Sequence, residues 1–161
     1  VDEGLLDLMY AAGFKTLKVG IESADIEVLK KSKRMPIALE YQEKMIKHCD
    51  KIGMKVVGFY VIGLENDTEE TVKATLEYSK KLNTDFANFT ICTPIPGTEF
   101  YETVKEKIKT DNYDLFDNFH VTFDHSELSE EAIIRYQEKA LVGYYLRPRY
   151  IYKYFTKTIF A

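Results

Sequence analysis

Three short stretches of this sequence gather residue types that bind charged or hydroxyl-bearing ligands: GIES at 20–23, IGLENDT at 62–68 and TPIPGT at 93–98. A carboxylate such as Glu22 can accept hydrogen bonds from an ammonium or from ribose hydroxyls. Gly63 would let a ligand approach the backbone closely. The plainer alternatives are that Glu22 caps a helix starting near Asp25 and that PIPGT is a rigid turn. A second group, FHVTFDH at 119–125, holds His120, Asp124 and His125 within six residues. Such a set could ligate a metal or exchange protons, yet its spacing matches no strong ligand pattern and a polar loop explains it as well. Cys49 and Cys92 are the only cysteines, spaced neither as a disulfide framework nor as a paired zinc or cluster motif. Two free thiols suit a reducing compartment, so the expected location is cytoplasmic. His48, beside Cys49 on a helical stretch, reads as surface or core filler.

These stretches lie where strands end. TLKVGIE alternates apolar and other residues, KVVGFYVIG is rich in β-branched and aromatic residues, and FANFTICT alternates again. The periodicity predicts helices over 2–12, 26–32, 38–52 and 69–82, and another from near Phe100. Gly13 and Gly53 serve as stops, and Asp25 and the Asp67-Thr68 pair as starts. The order α-β-α-β-α-β-α, with strand starts 30–40 residues apart, is the rhythm of right-handed crossovers and a parallel sheet. The stretch 109–126 has no clear period and reads as a loop. Ser129-Glu130-Glu131 opens a helix near 130–146, and Pro148 breaks or kinks the tail. The fold class is therefore α/β.

Alternation assigns faces. Leu17, Val19 and Ile21 form one set, with Lys18, Gly20 and Glu22 opposite; Ala87, Phe89 and Ile91 form another, with Asn88, Thr90 and Cys92 opposite. The middle strand is apolar on both faces apart from Gly58 and Tyr60. A parallel strand covered on both sides should read as one apolar run, and two of these three do not. Lys18, Gly20, Glu22, Gly58, Tyr60, Asn88, Thr90 and Cys92 are thus expected either to line a cavity inside a barrel or to form one wet face. Ligands of parallel sheets sit at the carboxyl ends of strands, where all three chemical stretches fall.

The 161 residues are 45% hydrophobic, with twelve tyrosines, ten phenylalanines and no tryptophan, enough for a real core. A net charge of −4 argues against a nucleic-acid duplex as partner. The tail YYLRPRYIYKYF, 144–155, mixes aromatics with Arg147, Arg149 and Lys153 as single-strand binders do, but equally as an amphipathic helix packing on its parent does. No apolar run is long enough to span a bilayer. No secretory leader precedes Val1, and the lack of an initiator methionine is what a piece of a longer chain would show.

LLDLMYAAGFKTLKVGIESADIEVLKKSKR (5–34), GFYVIGLENDTEETVKATLEYSKKLNTDFANFTICTPIPGTEFYE (58–102) and YYLRPRYI (144–151) together resemble the later half of a radical S-adenosylmethionine enzyme core. The subgroup most similar carries a cobalamin-binding domain ahead of that core. The resemblance implies a partial (β/α)6 barrel of parallel strands with C-terminal helices. It divides the chain into three β/α units, 1–108, and a loop with a helical extension, 109–161. It also implies a [4Fe–4S] cluster on a C-x3-C-x2-C loop, which this sequence lacks. The cluster would be held by an N-terminal half outside this sequence, and cobalamin would belong to the parent. S-adenosylmethionine is the implied cofactor. The resemblance gives Glu22 and Ser23 its ribose or methionine end, Gly63 its adenine and ribose support, and Thr93 and Pro94 the turn over it. The adjoining substrate chamber is expected to use Tyr60, Asn88 and Thr90.

Where the family's fifth strand continues as Gly-Leu-Pro-Gly-Glu-Thr, this chain has Gly63-Leu64-Glu65-Asn66-Asp67-Thr68, which replaces the Pro-Gly turn. The implied function is the later part of a radical S-adenosylmethionine oxidoreductase or methyltransferase, inactive by itself. Its partners would be the remainder of its own parent chain and a small-molecule substrate, with no membrane, no nucleic acid and no metal bound by its own residues. The rivals are a noncatalytic α/β interaction domain and a metal-dependent barrel hydrolase or lyase using His120, Asp124 and His125. A half-barrel would also present raw strand edges that pair or aggregate unless covered.

Overall fold

The three runs rich in β-branched and aromatic residues form parallel strands in the computed structural model, which describes residues 1–159. Phe160 and Ala161, the end of the expected extension, lie outside the described residues. The strands are β1 (Thr16–Glu22), β2 (Lys55–Ile62) and β3 (Phe86–Ile91), in that spatial order. Helix α1 (Glu3–Ala11) precedes β1, and α2 (Ile26–Lys31) and α3 (Leu39–Ile52) lead to β2. Helix α4 (Glu69–Leu82) connects β2 to β3, and α5 (Glu99–Val104), α6 (Glu130–Tyr145) and α7 (Pro148–Ile159) follow. The expected start and stop signals act. The Asp25 carboxylate accepts the amides of Glu27 and Val28, Thr68 caps α4, and Gly53 ends α3 in the left-handed region at φ 83°. The helical tail breaks just before Pro148, which opens α7 as its first residue, a position that needs no amide hydrogen. No described helix is long and apolar enough to cross a membrane.

Helices α1, α3, α4 and α6 cover one face of the sheet. Leu6, Ile46, Leu76 and Ile133 from these helices meet Val56, Tyr60, Ile62, Phe89 and Ile91 from the strands in the main core. The register leaves Lys18, Val57 and Phe86 in one row on the other face and Gly20, Phe59 and Asn88 in the next, with Val61 beside Thr90 beyond them. The sheet is therefore open on one side, as in part of a (β/α) barrel.

Two face assignments on β2 are corrected. Tyr60 is not with Asn88 and Thr90; it lies fully buried on the helix-covered side, stacked on Phe89 with ring centroids 5.0 Å apart. Gly58 is on that side too, because a Cβ there would meet Ile21 and the Tyr60 ring at 3.1 Å. Alternation could not orient β2, since both of its faces are apolar.

The stretch 109–126, expected as a loop, carries structure. Ile108 and Phe123 form an antiparallel contact, and the Asp124 amide donates to the Lys107 carbonyl at 2.8 Å. Phe123 is fully buried in a second apolar cluster with Val28, Leu29, Leu64, Cys92 and Phe100. This strap closes the carboxyl ends of β2 and β3.

The two sheet edges differ. On β3 the Tyr145 hydroxyl accepts the Ala87 amide at 2.9 Å and approaches its carbonyl oxygen at 2.7 Å. Gln137 donates to the Phe89 carbonyl and the Ile91 amide to the Asn118 carbonyl. Side chains of α6 thus occupy the positions another strand would take. Of the tail aromatics, Tyr144 and Tyr150 are buried against the core, while Tyr152, Tyr154 and Phe155 are exposed. Edge β1 has no strand beside it among the described residues, and an apolar groove lined by Leu17, Val19, Tyr41 and Met45 runs along it.

Candidate functional site

At the carboxyl end of β1 the ladder shifts register between Gly20 and Glu22. Glu22 itself takes φ 63°, and the Ser23 amide donates to the Ile21 carbonyl at 2.8 Å, which closes a three-residue turn. A non-glycine residue held this way is strained by on the order of 1–3 kcal/mol, and such strain clusters at ligand sites. The turn lays the carboxylate of Glu22 back over Gly20, where a Cβ would stand 3.4 Å from Oε1.

Arg34 completes the site. Helix α2 ends with the Lys33 amide donating to the Lys30 carbonyl and the Arg34 amide to the Leu29 carbonyl, with Lys33 in the left-handed region at φ 57°. This is the Schellman ending, normally made with glycine at the position Lys33 holds. It aims Arg34 at β1, where Nη1 donates to Glu22 Oε1 at 3.0 Å. Glu22 and Arg34 keep 24% and 38% of their side chains exposed, so the pair is open to a ligand and adds little stability by itself. Gly20, Glu22, Leu29, Arg34, Met35 and Gln42 line a cleft of about 240 Å³. Arg34 also borders a second cleft of about 290 Å³ with Thr93, Ser32 and Thr98. Sequence reasoning missed Arg34 because its distance of twelve residues from Glu22 carries no periodic signal.

The other expected residues fall elsewhere. Ser23 is buried, its hydroxyl 3.2 Å from that of Thr75 on α4 and accepting the Asp25 amide. It ties the β1–α2 turn to α4. Gly63, at φ 77°, gives close approach not to open space but to His125 and Ile133, which a Cβ would meet at 3.0 and 3.2 Å. Pro94 is buried behind Thr93. Asn88 and Thr90 face the open side, with the Thr90 hydroxyl donating to the Tyr60 carbonyl at 3.3 Å.

The turn after β2 forms without a Pro-Gly pair. Asn66 takes the left-handed position at φ 68°, one that asparagine tolerates, and the Asp67 amide donates to the Leu64 carbonyl. Asp67 is buried, accepting the Leu64 amide and the Thr71 hydroxyl. Burial pushes its carboxyl up to about 6, against the opposing pull of those hydrogen bonds. Because the folded value lies above the ordinary one, this group's stabilising contribution is complete below about pH 4 and lost as pH rises through about 6. Asp67→Asn cannot titrate, so its stability relative to the unaltered chain should rise by about 3 kcal/mol across that window. Urea unfolding of both proteins at pH 4 and pH 7 checks this; parallel pH dependence would refute it.

His120, Asp124 and His125 do not converge. His120 bonds Asp117 at 3.0 Å on the surface, while His125 packs on Phe123 with ring centroids 4.0 Å apart. Burial, reinforced by Lys107 and Lys109, holds the His125 imidazole down at about 4. No group of three His, Cys, Asp or Glu among the described residues is placed to hold a metal. Cys49 sits in the main core and Cys92 in the second, where burial pushes its thiol up to about 12. Neither is a ligand for an iron–sulfur cluster, so the residues present do not fit that group. A partly exposed carboxylate–guanidinium pair over a glycine is instead a donor and acceptor set for a small ligand that carries a carboxylate together with an ammonium or hydroxyls.

No family model matches the chain. Over 94% of its length it is 30% identical to an uncharacterised methyltransferase of Pyrococcus horikoshii, of which it spans 33%. Coproporphyrinogen III oxidase of Escherichia coli, a radical S-adenosylmethionine enzyme, matches 90% of this chain with a TM-score of 0.65 at 17% identity, over 29% of its own length. TsrM of Kitasatospora setae, a radical S-adenosylmethionine methyltransferase solved with cobalamin and a [4Fe–4S] cluster, matches 66% with a TM-score of 0.60 at 24% identity, over 21% of its length. The chain thus spans about a third or less of the proteins it matches, and over that span it shares the fold of the two solved enzymes.

Proposed function

We propose that this chain is the later wall of a barrel that binds S-adenosylmethionine, within a larger radical S-adenosylmethionine enzyme, and that it is catalytically incomplete by itself. The observation that carries this reading is the Glu22–Arg34 pair, held at the end of β1 by a strained turn and a Schellman ending and left open to solvent. The methionyl part of the ligand bears a carboxylate, which Arg34 can clamp through two parallel N–H donors, and an ammonium. Glu22 accepts from that ammonium or from ribose hydroxyls, and Thr93 borders the adjoining cleft. When bound, the ligand supplies a sulfonium centre, a source of transferable methyl or adenosyl groups. The cluster expected in such an enzyme is held by residues outside this sequence, and no residue here is assigned to cobalamin. The uncovered β1 edge and its apolar groove receive the remainder of the parent chain, while the capped β3 edge ends the sheet.

A pair of ligands tests the assignment. Arg34→Met should weaken binding of S-adenosylmethionine about tenfold and leave 5′-methylthioadenosine, which lacks the amino-acid group, unchanged. Calorimetric titration of both reads this out. Equal loss for the two ligands, or none, would remove Arg34 from the carboxylate.

A further inference from the structure

We infer that the open face of the sheet takes a planar organic anion, with its acidic group on Lys18, its ring on Phe59 and its polar edge at Asn88. This rests on reading that face as the inner wall of the cofactor-binding barrel. The register sets Gly20, Phe59 and Asn88 side by side across the three strands, with Lys18 one row below on β1. Strands about 4.8 Å apart rising about 3.3 Å per residue bring the three side chains within reach of a one- or two-ring molecule. Phe59 is half-buried, belongs to neither apolar cluster and pairs with no other ring among the described residues. Its neighbour Gly20 has no side chain, and the Glu22 carboxylate that lies back over it is held by Arg34. An aromatic ring in that position is a stacking platform.

Charge selects the occupant. Lys18 and Asn88 are exposed, and neither makes a side-chain hydrogen bond or ion pair among the described residues. Glu22 is neutralised by Arg34, which leaves Lys18, among the described residues, as the uncompensated charge of this face in a chain of net charge −4. A cation beside a half-buried ring and a free amide complements an acid on a flat unsaturated body; a neutral or cationic molecule would leave Lys18 unanswered. Asn88 adds a donor and an acceptor at the far side.

Titrations of the chain with 2-naphthoate and 2-naphthamide, followed by chemical-shift changes at Gly20, Phe59 and Asn88, test this. The carboxylate should bind about fivefold more tightly than the amide, a difference appropriate to an exposed ion pair. Lys18→Met should abolish that preference, and Phe59→Ala should weaken both ligands; both residues lie off the main core, so the variants keep the fold. Equal affinities in the unaltered chain, shifts confined to the β1-edge groove, or no binding up to millimolar concentration would overturn the inference. S-adenosylmethionine added to the same samples separates the two readings. If it binds while naphthoate shows no preference, only the anion assignment fails. If naphthoate shows its Lys18-dependent preference and S-adenosylmethionine does not bind, the cofactor reading fails and the anion site stands.

Discussion

Glu22→Gln is expected to weaken S-adenosylmethionine binding by about tenfold to a hundredfold, the worth of one or two hydrogen bonds to a charged group. The substitution keeps the size of the side chain and the strained turn, but removes the charge that draws an ammonium and that holds Arg34 at 3.0 Å. Ser23→Ala is the matched control. Its hydroxyl is spent on Thr75 and the Asp25 amide, so it should cost about 1 kcal/mol of stability and leave affinity within about twofold. Isothermal titration with each variant, beside urea unfolding, reads both quantities. Unchanged affinity in Glu22→Gln, with loss in Ser23→Ala, would reverse the roles assigned to these neighbours.

The second large effect concerns the fold. Phe89→Ala should destabilise the chain by about 3–5 kcal/mol, a large share of the roughly 5–15 kcal/mol that holds a domain together. Phe89 is 1% exposed, stacks on Tyr60 and meets Tyr144 edge-on with centroids 5.8 Å apart, so truncation opens a cavity on three elements at once. Phe59→Ala, one strand over on the open face, should cost about 1 kcal/mol or less. Urea unfolding of the two variants therefore tests which face is the core. A larger loss for Phe59 than for Phe89 would invert the assignment.

That assignment marks where the sequence was readable. The β/α order, the caps and the open placement of Lys18, Gly20, Asn88 and Thr90 follow from local chemistry, because alternation and capping act over a few residues. Tyr60 was misplaced because β2 is apolar on both sides, so only its packing partners, Phe89 and α6, decide its direction. Gly63 announced a close approach but not by what; His125 lies sixty-two residues away in sequence, beyond any local signal. Arg34 depends on a helix ending in which lysine stands where glycine usually does. The strap at 108–123 is made of two short backbone contacts and one buried phenylalanine, which leave no period to detect.

The central claim is that the wall at the end of β1 binds S-adenosylmethionine. The most direct measurement is a nitrogen–proton correlation spectrum of the labelled chain, titrated with S-adenosylmethionine to millimolar concentration. The account predicts saturable shifts of Gly20, Glu22 and the Arg34 side chain, lost together in Glu22→Gln. No shifts at all, or shifts that saturate elsewhere on the surface, would contradict it and favour a noncatalytic domain built on the same fold.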